Sequence, residues 1–368
     1  MSFRAPFTLV LSGGGARGLA HIGVLRALAE RRLEPSLIVG SSMGSLIAAS
    51  WAAGMPLGEM MDRGLAVRRR DIFQVAHLDM AFKRMRSPAI YRREPLDDLI
   101  HSLVGDRTFE DLSRPVLINT AELNSSMQVL WGLPGLRHVR VADAVFASCA
   151  LPGIFPPRRI EDRYYVDGAV LENLPVQVAA YHGEGPVLAV DVGATSAIRS
   201  HVEEEGFAAT YLRGLEIVMQ TMVQTRLLQW TAPPLVLVHP RVEHIGLFGF
   251  GHTRELIEEG YRATLDVLDG LGEGFDPAGH GIHPRHQVEL RIDRPRCIGC
   301  GMCVMQAPWL FEMDEENRAR VRHPVQSWSL LDGTCVRNCP TYAISSRLVP
   351  ERRQIPRDPA APPPSGPS

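Results

Sequence analysis

Lysine is almost missing from this chain: Lys83 is the only one, so nearly all positive charge is arginine, a compositional bias that points to no function. An excess of either charge sign is missing too. The formal net charge of -2 sets up no field that would favour nucleic acid, and no local basic stretch makes up for it, so no nucleic-acid partner is expected. Long apolar runs are absent. Stretches such as Ser45 to Met55 fall well short of the ~20 residues a membrane-spanning helix needs. The run in MSFRAPFTLVLSGGGARG is too short for a signal-peptide core and passes straight into a glycine loop, so a cytoplasmic location, or one peripheral to a membrane, is expected. Internal repeats are lacking as well. Cysteine is scarce over most of the length: Cys149 stands alone in mid-chain, and the other five crowd between Cys297 and Cys339. That clustering suits metal better than disulfides in a reducing compartment.

What is present is enough apolar material for a sizeable core, 45% hydrophobic against 22% charged, in 368 residues, which exceeds the length at which one core usually keeps growing. Two unequal domains are expected. Short apolar runs alternate with helical patterns: Phe7 to Leu11 then Leu19 to Arg31, Leu37 to Val39 then Met43 to Ala53. This is βαβ rhythm. Further strands are expected at Val116 to Thr120, Met127 to Trp131, Tyr164 to Val166, Val187 to Val192 and Leu235 to Val238, and a helix at Arg254 to Leu268. A layered α/β sheet domain over residues 1–275 follows. The stretch GLGEGFDPAGHGIHPRHQ lacks periodicity and reads as a linker, assigned to 276–287. A small domain over 288–346 comes next, and PRDPAAPPPSGPS marks 347–368 as a disordered tail.

Gly40-Ser41-Ser42-Met43-Gly44 fits the Gly-x-Ser-x-Gly nucleophile elbow, with a strand before it and a helix after it. Small flanking residues let the turn tighten until the Ser42 oxygen projects above the sheet, near the positive end of the next helix. Gly13-Gly14-Gly15-Ala16-Arg17-Gly18 also follows a strand and offers backbone N–H groups to an anion. A dinucleotide site would want a different glycine spacing, and Glu34 comes too early to bind a ribose. The alternative use is to hold the oxyanion of an acyl-transfer intermediate.

SGGGARGLAHIGVL followed by GSSMGSL resembles the opening of the patatin-like phospholipases, and the resemblance extends through ASCALPGIFPP to Asp167-Gly168-Ala169. It implies a layered α/β fold, lipid esters as substrate, and a Ser/Asp dyad without histidine. By the same resemblance Ser42 is the nucleophile, Asp167 its base, and Gly13, Gly14, Gly15 and Arg17 the oxyanion loop. Read from the residues alone, Asp167-Gly168 between RYYV and AVL is the signature of a hairpin turn, and Asp191 is a strand-end alternative. Among the histidines, His21 lies nearest a motif and reads as a packing or capping residue; His138 and His182 fall in expected loops. The segment Met55 to Arg93, with Met55, Met60, Met61, Met80 and Met85 among arginines, reads as a helical cap, or as a surface for acyl chains or anionic membrane. Cys149 reads as a small buried residue.

Cys297-Ile298-Gly299-Cys300-Gly301-Met302-Cys303 with a remote Cys339-Pro340 has the spacing of iron-sulfur ligands, and fits tetrahedral zinc poorly. CIGCGMCVMQAPWLFEMDEENRARV and NCPTYAI resemble bacterial ferredoxins that carry a single 4Fe-4S cluster. One cluster on Cys297, Cys300, Cys303 and Cys339 is implied, in a ferredoxin-like α+β domain, with Cys335 left as a buried structural thiol or a substitute ligand. Three functions remain open: a lipid acyl hydrolase with a redox module, which has a redox partner protein or controls the hydrolase; a redox protein whose α/β domain is a lipid-binding or docking platform; and acyl transfer to an acceptor other than water by the same residues.

Overall fold

The structure, a computed structural model, describes residues 3, 6–75, 89–193, 206–271, 275–329 and 332–349. The chain forms two compact units, Met1–Pro284 and Arg285–Ser368.

In the first unit the strands are β1 (Thr8–Leu11), β2 (Leu37–Ser41), β3 (Val116–Glu122), β4 (Gln128–Trp131), β5 (Arg158–Ile160), β6 (Arg163–Asp167), β7 (Val187–Val190), β8 (Leu235–Val238) and β9 (Ile282–His283). They build one sheet in the order β5-β6-β3-β2-β1-β7-β8-β9, with β4 also paired to β3. The run from β3 through β2, β1, β7 and β8 to β9 is parallel, and β4, β5 and β6 are joined antiparallel. Strands β1, β7 and β8 are buried at every position, which is why they read as continuous apolar runs and not as alternation.

The helices of this unit are α1 (Ala20–Glu30), α2 (Met43–Ala52), α3 (Leu57–Ala66), α4 (Glu94–Val104), α5 (Val141–Cys149), α6 (Ala169–Glu172), α7 (Val176–His182), α8 (Phe207–Leu228) and α9 (Thr253–Gly270). His182, expected in a loop, ends α7. Helices α1 and α9 pack closely because a glycine sits at each contact. A Cβ on Gly23 would lie 1.8 Å from the Ile257 carbonyl oxygen, and one on Gly260 would lie 2.0 Å from that of Ala20. Among the described residues, no helix is long and apolar enough to cross a membrane.

The second unit has a three-stranded antiparallel sheet, β13-β10-β14, formed by β10 (His286–Ile292), β13 (Val325–Trp328) and β14 (Ile344–Leu348). A ribbon of β11 (Phe311–Met313) with β12 (Ala319–Val321) and the short helices α10 (Met302–Gln306) and α11 (Thr334–Arg337) complete it. Its core is small and includes Leu290, Phe311, Trp328 and Ile344 together with the buried Cys297, Cys303 and Cys335.

Two boundaries differ from the sequence reading. The stretch expected to link the domains supplies β9 to the first unit and the first residues of β10 to the second, because its backbone finds ladder partners in β8 and β13. Arg347 and Leu348, expected in the tail, pair with Glu289 and Val288 instead. Met80, Met85 and the tail from Pro350 onward lie outside the described residues.

Candidate functional site

Strand β3 brings the two expected catalytic residues together. Its Ile118 to Ala121 pair with β4 on one edge. On the other edge β2 runs parallel to it as far as Ser41, opposite Asn119, and β6 runs antiparallel to it and ends at Asp167, opposite Thr120. The two strands share that edge and arrive from opposite directions. Ser42 and Asp167 are therefore delivered to one place by register.

The local backbone is shaped around this meeting. Ser42 has φ 52 and ψ -127, a left-handed conformation that a non-glycine residue adopts only under strain. Its N–H donates to Ser148 Oγ at 2.9 Å, and that hydroxyl donates to the Asn119 carbonyl at 2.7 Å, tying the elbow to β3. Both elbow glycines are forced by close approach: a Cβ on Gly40 would lie 2.6 Å from Ser45 Cα, and one on Gly44 would lie 2.3 Å from the Leu11 carbonyl oxygen.

Asp167 does not open a hairpin turn. It ends β6, and Gly168 passes the chain into α6. The carboxyl is 1% exposed. Burial pushes its pKa up to about 7, against the pull of the Ala169 N–H, which donates to Oδ1 at 2.9 Å, and of the Ser42 hydroxyl. Asp191 is occupied elsewhere: it accepts hydrogen bonds from the Gly193 N–H at 2.8 Å and the Gln220 amide at 3.3 Å.

Ser42 and Asp167 face a cavity of about 90 Å³ that Gly13, Gly14, Gly15 and Arg17 also line, with walls of apolar side chains such as Leu151, Ile154 and Phe155. The expected loop residues serve different ends here. The Gly13 N–H is donated to the Asn173 carbonyl at 3.2 Å, and the Ala16 N–H to that of Leu247 at 2.8 Å. Asn173 also donates its side-chain amide to the Gly13 carbonyl at 3.3 Å, so it holds that glycine by both edges. Arg17 is 2% exposed and pairs with Glu216 of α8 at 2.7 Å.

Ser148, Asn173 and Glu216 hold the elbow and the glycine loop of the candidate site, and the sequence reading did not single them out. Ser148 sits inside the ASCALPGIFPP block and Asn173 shortly after Asp167, so both were within reach of the motifs. Glu216 lies far along the chain on a helix with no motif.

Among the described residues no histidine lines the cavity. His21 is fully buried and stays neutral: burial lowers its pKa to about 4, and Nε2 donates to the Ser12 carbonyl at 2.8 Å. His138 is exposed and pairs with Glu161. Cys149, expected to be a buried filler, is half-buried and lines the cavity. Its thiol stays protonated because burial, and then the Asp167 charge, push its pKa up.

In the second unit Gly299 and Gly301, both at φ 72, turn the chain between the closely spaced cysteines. Backbone N–H groups point at two of the sulfurs, Ala319 at Cys297 Sγ (3.4 Å) and Ala343 at Cys339 Sγ (3.3 Å). N–H donors of this kind stabilise thiolate ligands of iron-sulfur clusters. Burial raises the Cys339 pKa, but the amides of Thr341, Ala343 and Ile344 outweigh it and the net shift is downward, toward thiolate. These donors and turns fit the cluster. Among the described residues, no three His, Cys, Asp or Glu side chains converge closely enough to hold a single metal ion. Cys335 is 4% exposed, with its thiol 3.8 Å from the Asp332 carbonyl oxygen.

Comparison with known proteins agrees with this division. Residues 9–180 match the patatin-like phospholipase family, and residues 290–346 match the 4Fe-4S single cluster domain. The chain thus carries a patatin-like phospholipase domain followed by a single-cluster ferredoxin-type domain. An uncharacterized NTE family protein of Mycobacterium tuberculosis is 28% identical over 278 residues, covering 71% of this chain and 46% of that protein. Lysophospholipase NTE1 of Mycosarcoma maydis is 27% identical over 303 residues, covering 74% of this chain and 15% of its own. The chain therefore spans less than half the length of either of these curated relatives. The crystal structure of VipD from Legionella pneumophila is similar with a TM-score of 0.40 at 15% identity, covering 72% of this chain and 67% of that one.

Proposed function

We propose that the patatin-like domain is a serine lipid acyl hydrolase, a carboxylic ester hydrolase working through a Ser42/Asp167 dyad. The observation that carries this reading is a strained serine beside a buried carboxyl whose pKa is about 7, in one apolar-walled cavity. Asp167, ionised, takes the proton from Ser42 Oγ as that oxygen attacks the ester carbonyl carbon. A base with a pKa near working pH suits this transfer. The amides of Gly14 and Gly15 receive the oxyanion, each such donor being worth about 2.7 to 4 kcal/mol. Gly13 and Arg17 shape the loop through Asn173 and Glu216. The tetrahedral intermediate collapses, the leaving alcohol takes the proton from Asp167, and an acyl-Ser42 ester remains. Water then attacks that ester with Asp167 again as base, the bond from the acyl carbon to Ser42 Oγ breaks as Asp167 returns the proton to that oxygen, and the fatty acid leaves.

Helix α8 borders the cavity with Leu212, Met219 and Gln220, and exposes Tyr211, Ile217, Val218 and Leu228 on its other side. That uncharged outer row supports peripheral contact with a lipid surface. In the second unit Cys297, Cys300, Cys303 and Cys339 would hold one 4Fe-4S cluster, which when bound supplies one-electron exchange with a redox partner or redox control of the hydrolase.

The test is acyl-ester hydrolysis by the anaerobically purified full chain, oxidised and then reduced, with Ser42→Ala as the blank. Turnover that vanishes in Ser42→Ala supports the dyad. Absence of Ser42-dependent turnover on every ester tried moves the reading to a redox protein with a lipid-binding platform.

A further inference from the structure

Behind the nucleophile lies a second cavity, of about 40 Å³, that the dyad chemistry does not use. It is lined by α1, α2, α3 and α4 and by Phe250, and its inner surface is almost wholly apolar. The two cavities are lined by residues that lie one or two positions apart in sequence. Ser42 faces the catalytic cavity and Met43 the second one; Phe73 faces the first and Ile72 the second; Phe248 faces the first and Phe250 the second.

Two polar side chains reach the second cavity, and both are engaged. Ser50 Oγ donates to the Leu46 carbonyl at 2.8 Å, and Arg63 pairs with Glu59 at 2.8 Å. An apolar space of this kind does not hold ordered water and takes an apolar guest. As it stands it has room for roughly one or two methylenes. Met43, Met55 and Met60 line it, and methionine is the core side chain that yields most readily. Met43 follows the nucleophile directly in sequence, lines the second cavity and packs on Gly18, where a Cβ would lie 2.5 Å from its Cγ, so it is the side chain that would have to yield for an acyl chain to reach that cavity.

We propose that this second cavity is an acyl-chain chamber, which receives the distal methylenes of a long fatty acyl group bound at Ser42 and sets the chain-length preference. The proposal rests on the hydrolase reading for its substrate, but it can be tested apart from it. Val67 and Leu103 are half-buried, line the chamber and do not line the catalytic cavity, so Val67→Phe and Leu103→Phe add volume to the chamber, and any overpacking they cause shows in the melting transition. Each variant is checked for an unchanged melting transition and then assayed on butyryl and palmitoyl esters. The ratio of kcat/KM for palmitoyl over butyryl ester should fall about tenfold, with the butyryl value unchanged. Met60→Ala, which enlarges the chamber, should raise the same ratio.

Binding gives a readout that needs no turnover. Ser42→Ala protein, titrated with a fluorescent long-chain polyene fatty acid, should bind it, and the added Val67→Phe should weaken binding about tenfold. Turnover with neither the ester ratio nor the binding altered in folded variants overturns the chamber and leaves the hydrolase. Binding that is weakened by Val67→Phe, with no Ser42-dependent turnover, leaves the chamber and removes the hydrolase.

Discussion

Replacing Asp167 by asparagine should stabilise the protein, and by an amount that depends on pH in a defined way. The carboxyl is 1% exposed, and burial raises its pKa from 3.8 to about 7. At pH below 3.8 it is protonated in the folded and the unfolded chain alike, and its ionisation contributes nothing. Between 3.8 and about 7 the unfolded chain has released the proton while the folded chain keeps it, so stability falls as pH rises through this window. Above about 7 both states are ionised and the deficit is constant. About three pKa units at ~1.4 kcal/mol each make that deficit roughly 4 kcal/mol. Asparagine keeps the shape and the acceptor for the Ala169 N–H but never ionises. Asp167→Asn should therefore exceed the wild type by less than about 1 kcal/mol near pH 4 and by roughly 4 kcal/mol at pH 8 and above. Urea unfolding at a series of pH values, followed through Trp51 and Trp131 buried in the first unit, measures both proteins, and their difference cancels every other titrating group. A difference that stays flat from about pH 4 to 8 would refute the buried-base argument.

Glu216→Ala removes the carboxylate that pairs with the buried Arg17 guanidinium and should cost up to about 3 to 5 kcal/mol of stability, with Glu216→Gln milder; thermal melts decide, and kcat should fall with the loop's order. Val218→Asp places a charge on the exposed row of α8 and should weaken hydrolysis of phospholipid in vesicles while leaving a soluble butyryl ester untouched; equal loss on both would count against the lipid-facing role. Cys339→Ala should lose the visible absorption and the iron of the cluster domain, whereas Cys335→Ala should keep both when purified without oxygen, as read by spectrum and iron content.

Much of the site was legible because its chemistry is written in local words. The two strand-turn-helix corners at Gly13 to Gly18 and Gly40 to Gly44 need glycine for reasons that a sequence displays, namely close backbone approach and a strained turn. The parallel strands were legible as well, since burial on both faces writes them as short apolar runs. Asp167 was expected only through family resemblance, because Asp-Gly after a strand reads as a hairpin until one sees that β2 ends at Ser41 and that β6 continues along the same edge of β3. Asn173 and Glu216 act through pairings 160 and 199 residues apart in the chain, and no local pattern encodes such distances. Helix α8 went unread for a related reason: it borders a cavity with one side and exposes apolar residues on the other, so its pattern lacks the clean alternation of a surface helix.

A dyad without histidine places a demand on the carboxylate that a triad does not. At the ordinary aspartate pKa of about 3.9 the group is too weak a base to take a serine proton efficiently at neutral pH, so the fold must raise it. Here the rise comes from burial, and the surroundings of the carboxyl should tune it. Cys149 lines the same cavity within electrostatic reach of Asp167, and its thiol is a weak hydrogen-bond donor. Cys149→Ser puts a stronger donor in nearly the same volume, and a hydroxyl that turns to Asp167 from Ser45, which the thiol engages, favours the ionised carboxylate and lowers its pKa. The wild-type pH profile of kcat/KM should rise through a limb near pH 7, because the ionised base is the active form. In Cys149→Ser that limb should move to lower pH, and the plateau should drop because the base is weaker. A limb that keeps its position in Cys149→Ser would mean that the hydroxyl stays with Ser45 and does not donate to Asp167, which refutes tuning of the base from this position.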